Sequence, residues 1–210
     1  MRKALVVVGG VIVVLLVADL GLRALAQYWV AGQIQTSFGL RDRPAVSLGG
    51  FPFLPRLISG RFPEVTVQSR GAVRTGGFPL SGVNLSLLQV RFPADQLLFG
   101  NKATIRAAGG RGSVTLTEQD INRAFPATVP VTIHLAGGRV RIESSNGTVE
   151  TRLRVSDNRL VLMPVEGSLP VEVRVALPVL ARGQTYTGVR VEGSRAVLGF
   201  RLTRPSILVR

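Results

Sequence analysis

Residues 139–155 read RVRIESSNGTVETRLRV, and they carry the clearest structural pattern in the 210-residue chain. On either side of Asn146-Gly147, apolar residues alternate with polar or charged ones. Alternation with a period of two indicates strands with one buried and one solvent-facing side. Asn-Gly between two such runs favours a tight hairpin turn. The stretch therefore predicts two neighbouring strands of an antiparallel sheet.

The same alternation continues in both directions along the chain and predicts a long sheet of seven to nine strands. Glycine pairs or other turn residues separate the runs. Such punctuation is typical of an antiparallel sheet with short connections. The alternating runs outside the central hairpin are residues 64–68, 113–116, 171–177 and 196–202, with a short strand at 45–48.

Two helices are predicted beside these strands. Residues 20–38 contain no proline and carry a broad apolar stripe. Thr117 is placed to cap a short helix over residues 118–125, which Pro126 ends. The fold class is therefore α+β. Two helices cover the apolar face of so long a sheet poorly, so we expect the sheet to curl around the long helix or around an apolar ligand.

The N-terminus predicts targeting to a membrane. Arg2 and Lys3 precede an uninterrupted run of apolar residues and glycine over 4–18, and Ala24-Leu25-Ala26 offers a small-x-small cleavage pattern. Residues 1–26 are thus a signal peptide or an uncleaved anchor. The run to Leu22 is long enough to span a membrane if Asp19 sits at the interface. The continuous helical pattern beyond Asp19 favours the anchor, with residues 27–210 forming one exported domain of the cell envelope.

The charge is strongly basic. The net charge is +14; Arg2, Lys3 and Arg23 with Asp19 contribute +2 of it, which leaves +12 on residues 27–210. Such a domain is drawn to anionic surfaces, including phospholipid headgroups. Nucleic acid is disfavoured as a partner, because aromatic residues make up only 6% and no basic run exceeds two residues.

The sequence offers few residues that could serve catalysis or bind a metal. His134 is the only histidine, there is no cysteine, and no G-x-S-x-G element occurs. The twelve acidic residues are scattered singly. We therefore predict a non-enzymatic protein without catalytic residues, metal ligands or a cofactor, with His134 on the polar face of a strand.

The most unusual segment is residues 49–62, GGFPFLPRLISGRF. Its glycines and prolines disfavour regular structure. Its apolar residues must nevertheless be buried in the core, inserted into a membrane, or used to line a ligand cavity.

Several motifs together resemble the LmeA-type phospholipid-binding proteins of actinobacterial cell envelopes. They are the N-terminal apolar segment, the helix ending Ser37-Phe38-Gly39-Leu40, the element Gly49-Gly50-Phe51-Pro52-Phe53-Leu54, the element Gly60-Arg61-Phe62-Pro63-Glu64-Val65, and Thr117-Glu118-Gln119-Asp120-Ile121-Asn122. Together these motifs span most of the chain.

The resemblance implies a fold similar to tubular lipid-binding domains, in which a long, curved antiparallel sheet wraps a long N-terminal helix. It implies a non-enzymatic periplasmic or envelope protein that binds, and could transfer, anionic phospholipid in an apolar cavity and supports envelope glycolipid (lipomannan-type) assembly. The alternative is a scaffolding protein that docks a protein partner through segment 50–62. Choosing by apolarity, we predict these lipid contacts: Trp29, Ile34, Phe38, Phe51, Phe53, Leu54, Leu57, Ile58 and Phe62.

Overall fold

The chain was analysed as a computed structural model, which describes residues 2–38, 40–70, 73–75, 78–92, 103–124, 131–144, 147–164 and 173–209. Its helices are α1 (Arg2–Phe38), α2 (Phe53–Ser59) and α3 (Glu118–Ala124). Its strands are β1 (Ala45–Leu48), β2 (Arg61–Ser69), β3 (Val73–Thr75), β4 (Phe78–Leu80), β5 (Gly82–Arg91), β6 (Ala103–Arg106), β7 (Gly109–Thr117), β8 (Val131–Ala136), β9 (Arg139–Ser144), β10 (Gly147–Ser156), β11 (Arg159–Pro164), β12 (Val173–Ala176), β13 (Gln184–Glu192), β14 (Arg195–Thr203) and β15 (Ser206–Val209).

The α+β class and the antiparallel pairing are confirmed. The larger sheet has eight strands in the order β1-β2-β5-β7-β14-β13, and β6 joins it beside β5 and also pairs with β15. A second sheet has five strands in the order β12-β11-β10-β9-β8. The predicted hairpin is the β9–β10 pair, which closes with Gly147 opposite Ser144; residues 145–146 and 171–172 lie outside the described part.

The strands form two main sheets, with a small β3–β4 ribbon, where the alternation predicted one long sheet. The buried residues of both main sheets belong to one core: Leu160 and Leu162 of the five-stranded sheet share it with Leu198 and Phe200 of the larger one. An amphipathic sheet must bury its apolar face. Here a second sheet supplies much of the cover that the helices could not.

The long N-terminal helix is confirmed, but its placement differs from the expected one. Most described side chains of α1 are exposed, and Ala31 and Asp19 are exceptions at 4% and 5% exposure. The helix contacts β1, α2 and β15, and Arg43 lies 4.0 Å above the ring of Tyr28. In the described residues α1 therefore touches the larger sheet at β1 and β15 and is not enclosed by it.

The short helix predicted after Thr117 is also confirmed. Thr117 and Asp120 form a reciprocal cap: the Asp120 amide donates to Thr117 Oγ1 at 3.3 Å, and the Thr117 amide donates to the Asp120 carboxylate at 2.9 Å. Leu116 and Ile121, on either side of the cap, are both buried. Residue 125, the last of the predicted helix, lies outside the described part.

Candidate functional site

The apolar segment 49–62 contains a helix, although its prolines and glycines were expected to disfavour regular structure. Pro52 precedes α2 and Pro55 stands in its first turn. There the missing N–H costs nothing, because the first amides of a helix lack intrahelical partners. Gly60 then ends α2 in the left-handed conformation, with φ of 62°. The position of each proline and glycine, rather than their number, decides the local structure.

The N-terminus of α2 is capped by a residue of α1. Both carboxylate oxygens of Asp19 accept from the Phe53 amide at 2.9 Å, and one also accepts from the Leu54 amide at 2.8 Å. Pro52 makes no side-chain capping bond. Asp19 therefore accepts hydrogen bonds from the first two amides of α2, which have no partner within the helix. It also places a negative charge at the positive end of that helix.

This contact sets the position of α2 relative to the apolar part of α1. Among the described residues, α1 alone is long and apolar enough to cross a membrane; an 18-residue stretch within Gly9–Thr36 has a mean hydropathy of 2.0. Such a helix is compatible with a signal sequence or an anchor.

The side chains of segment 51–62 divide into a core set and an exposed set. Phe53 and Phe62 are buried, with their ring centroids 5.7 Å apart, and Phe62 packs edge-on against Phe92 at 5.4 Å. Phe51, Leu57 and Ile58 are 61%, 38% and 75% exposed. The buried rings hold α2 on the sheet, while the exposed residues present an apolar surface beside α1. We call Phe51, Leu57 and Ile58 the α2 apolar surface.

The remaining predicted lipid contacts are spread along α1 and α2. Trp29 is half exposed on α1, whereas Ile34 and Leu54 are partly buried. The side chain of Phe38 lies outside the described part. The structure thus places Leu57 and Ile58 on α2 and Phe51 two residues before it, and leaves Trp29 separate, ten residues beyond Asp19 along α1.

Next to the C-terminus of α2 lies a row of arginines that the sequence pattern did not single out. Arg61 of β2 is opposite Arg91 of β5, and Arg91 is opposite Arg106 of β6. All three are exposed, whereas their neighbours Phe62, Phe92 and Ala107 are buried. The row borders a groove of about 390 Å³ that Ser59, Gly60 and Thr104 also line. We call Arg61, Arg91 and Arg106 the arginine row.

His134 lies on β8, as predicted, with its side chain 44% exposed. Its Nε2 is 3.6 Å from Glu143, and its Nδ1 is 4.0 Å from Glu118. Among the described residues, no group of three or more histidines and carboxylates is arranged to hold a metal ion. The imidazole is placed as a surface residue between two carboxylates.

These features define a class: a β-sheet protein with a long apolar N-terminal helix, an exposed apolar surface at the base of that helix, and a basic groove next to it. The chain belongs to the LmeA-like phospholipid-binding family, whose model matches residues 17–207 of the 210. The match includes Asp19, α2 and the arginine row. Comparison with curated proteins and with solved structures gave no significant match.

Sequence reasoning missed the Asp19–α2 contact and the arginine row for different reasons. Asp19 gave a signal, because it is the only charge between Lys3 and Arg23 in an otherwise apolar run. The arginines gave none, because they lie at the ends of three separate strands. Only the strand pairing brings them side by side.

Proposed function

We propose that the protein is a non-enzymatic, membrane-anchored protein of the cell envelope that binds phospholipid, with a preference for anionic headgroups. One observation carries the proposal: Leu57 and Ile58 on α2, and Phe51 just before it, are exposed, and Asp19 holds this helix against the apolar N-terminal helix. Membership in a phospholipid-binding family supports it.

The energetic argument rests on the exposed apolar side chains. Full burial of a Leu, Ile or Phe side chain is worth roughly 1.5–3 kcal/mol. Because Phe51, Leu57 and Ile58 are exposed, much of this burial free energy is not gained in water. Contact with acyl chains would recover it. The net charge of +14 adds attraction to anionic lipid, which accounts for the proposed headgroup preference.

The test is the phospholipid that co-purifies with the full-length chain in a mild detergent, quantified by mass spectrometry. We expect stoichiometric phospholipid, enriched in anionic species relative to the source membrane. In the double variant Phe51→Asp/Ile58→Asp this lipid should be lost while the fold is kept, because two charges replace exposed apolar contacts. Val179→Asp is the matched control, since Val179 is also 57% exposed but lies between β12 and β13.

Two outcomes would contradict the proposal. Unchanged phospholipid in the double variant would remove the α2 apolar surface from the binding site. A stoichiometric protein partner, captured by crosslinking with no bound lipid, would support the scaffolding alternative, in which segment 50–62 docks a protein.

The proposal extends to export and to the lipid transfer and lipomannan-type glycolipid assembly that the family resemblance implies. In the host cell, we expect the domain to be accessible to protease added outside the cytoplasmic membrane. Restoring a deletion strain with the wild-type chain should recover envelope glycolipid, and Phe51→Asp/Ile58→Asp should not. Equal recovery with both chains would separate the lipid site from glycolipid assembly.

A further inference from the structure

The arginine row is an arrangement that the fold alone does not favour. Arg61, Arg91 and Arg106 stand directly opposite one another on adjacent strands, and neighbouring strands lie about 4.8 Å apart. Like charges at directly opposed positions destabilise a sheet. The next strand places Ser206 opposite Arg106, so the row ends on a hydroxyl residue rather than on a carboxylate.

Among the described residues, no acidic one lines the groove that the row borders. In the described part of the sheet, the nearest acidic residue along β2 is Glu64, whose Oε1 accepts a hydrogen bond from Ser86 at 2.6 Å. A concave site lined by three guanidinium groups attracts anions. Arginine also presents paired donors that match the oxygens of a phosphate, and the hydroxyl of Thr104 adds a further donor at the groove wall.

The position of the groove indicates which kind of phosphate it fits. Ser59 and Gly60 form its wall at the end of α2, and Ile58, 75% exposed, directly precedes them. Arg61 follows Ile58 by three residues, so their Cα atoms are separated by no more than about 10 Å. The exposed Ile58 thus lies close to the basic groove, as the acyl chains of a lipid lie close to its phosphate.

We infer that Arg61, Arg91 and Arg106 bind the phosphate of an anionic phospholipid whose acyl chains lie against Leu57 and Ile58. This inference rests on the proposed function and assigns its headgroup site. The groove volume of about 390 Å³ lies within the range of small-ligand sites. The negative phosphate offsets part of the positive charge of the row, and so reduces the repulsion between its arginines.

The experiment uses the full-length chain in a non-ionic detergent, titrated with dihexanoyl phosphatidic acid, dihexanoyl phosphatidylcholine or inorganic phosphate. The test variant is Arg61→Gln/Arg91→Gln. The matched control is Arg111→Gln/Arg201→Gln, because Arg111 and Arg201 are also an exposed, directly opposed pair on the same sheet. Both variants lose two positive charges, so they differ only in where the charge is removed.

We expect the test variant to bind phosphatidic acid about tenfold or more weaker than the wild-type chain, and the control to stay within about twofold. Arg61→Lys/Arg91→Lys should fall between them, because lysine keeps the charge but loses the paired donors. Inorganic phosphate should bind the wild-type chain at least about tenfold more weakly than phosphatidic acid, since it lacks the apolar contacts.

Three results would overturn the inference. Equal losses in the test and control variants would mean that diffuse charge attracts the lipid. Unchanged binding in the test variant would exclude the row. Inorganic phosphate binding as tightly as phosphatidic acid would make the groove a site for soluble anions. If the wild-type chain binds no phospholipid of either kind, the proposed function itself fails. This outcome distinguishes failure of the proposed function from failure of the headgroup site alone.

Discussion

At the scale of single residues, Asp19 joins the apolar N-terminal helix to the domain. It is 5% exposed, and its carboxylate accepts from two amides of α2. A buried carboxylate is costly unless it is hydrogen-bonded. Here the bonds stabilise both partners, because the amides at the start of α2 need acceptors and the carboxylate needs donors. A charge inside an apolar segment thereby becomes a structural link.

We predict that Asp19→Ala frees the start of α2. The loss of a capping carboxylate costs about 0.5–2 kcal/mol. The amides of Phe53 and Leu54 should therefore exchange with solvent faster, as measured by hydrogen exchange on the full-length chain. Asp42→Ala is the control, because Asp42 is exposed. Unchanged exchange at Phe53 and Leu54 would show that Asp19 does not cap α2 in solution.

Tyr186 is a second residue with a measurable consequence. Its hydroxyl donates to the Pro178 carbonyl at 2.8 Å, and its ring packs against Phe200 with centroids 5.9 Å apart. Burial raises the pKa of Tyr186 to about 12, partly offset by the Gln184 side chain. Because the pKa in the unfolded chain is the ordinary value near 10, the unfolded state releases this proton first as the pH rises.

We therefore predict that the contribution of Tyr186 to the unfolding free energy is complete below pH 10 and declines between pH 10 and about 12. Tyr186→Phe should cost about 1 kcal/mol near neutral pH, through the lost hydrogen bond. Denaturant unfolding of both chains across this range measures the effect. The difference in unfolding free energy between the wild-type chain and Tyr186→Phe should shrink as the pH rises. A constant difference would contradict the raised pKa of Tyr186.

At the scale of secondary-structure elements, α3 covers the outer edge of β8, the last strand of the five-stranded sheet. Asn122 donates to the Ile133 carbonyl at 3.0 Å and accepts from the Ile133 amide at 2.7 Å. Glu118 accepts from the Leu135 amide at 2.7 Å. The two side chains satisfy backbone groups that an exposed edge would offer to another chain.

We predict that Asn122→Ala lowers the unfolding free energy by about 1–3 kcal/mol, because the partly buried donor and acceptor of Ile133 lose their partner. Urea unfolding measures the loss, and light scattering at high concentration should detect association through β8. Asn84→Ala, at an exposed position on β5, should change the unfolding free energy by less than about 0.5 kcal/mol. Equal effects of the two substitutions would contradict the edge role.

At the scale of the whole molecule, Asn158 connects the two main sheets. It lies in the turn between β10 and β11, accepts from the Tyr186 amide at 2.8 Å and donates to the Gln184 carbonyl at 3.3 Å. Both Asp157 and Asn158 have positive φ, of 50° and 57°. Asparagine suits this position because it tolerates the left-handed conformation while its amide bonds to the neighbouring sheet.

We predict that Asn158→Gly loosens the five-stranded sheet relative to the eight-stranded one. Glycine keeps the turn conformation but removes both bonds to β13. Hydrogen exchange should increase in β10 and β11 more than in β7 and β14. Asp157→Gly, in the same turn, is the control and should leave this ratio unchanged. Uniform exchange in both sheets of the Asn158 variant would show that the shared core alone couples them.

About half of the fifteen described strands and both predicted helices could be derived from the sequence, because their signals are local. Alternation with a period of two identifies β2, β7, β9, β10 and β14, and the Thr117 cap identifies α3. α2 was missed, because its proline and glycine content predicts a loop unless their positions in a helix are known. Among the expected lipid residues, apolarity could not separate buried Phe53 from exposed Phe51.

The amino-acid order alone identifies several strand segments, the apolar helix that opens the chain and the basic charge of the domain, since these follow from local pattern and from composition. The tertiary structure decides the division into two sheets, the capping of α2 by a residue 34 positions earlier, and the alignment of Arg61, Arg91 and Arg106. Those features depend on strand register and on packing between distant segments. No local sequence pattern encodes strand register or long-range packing, because the free energy that selects them arises only when the whole core is buried.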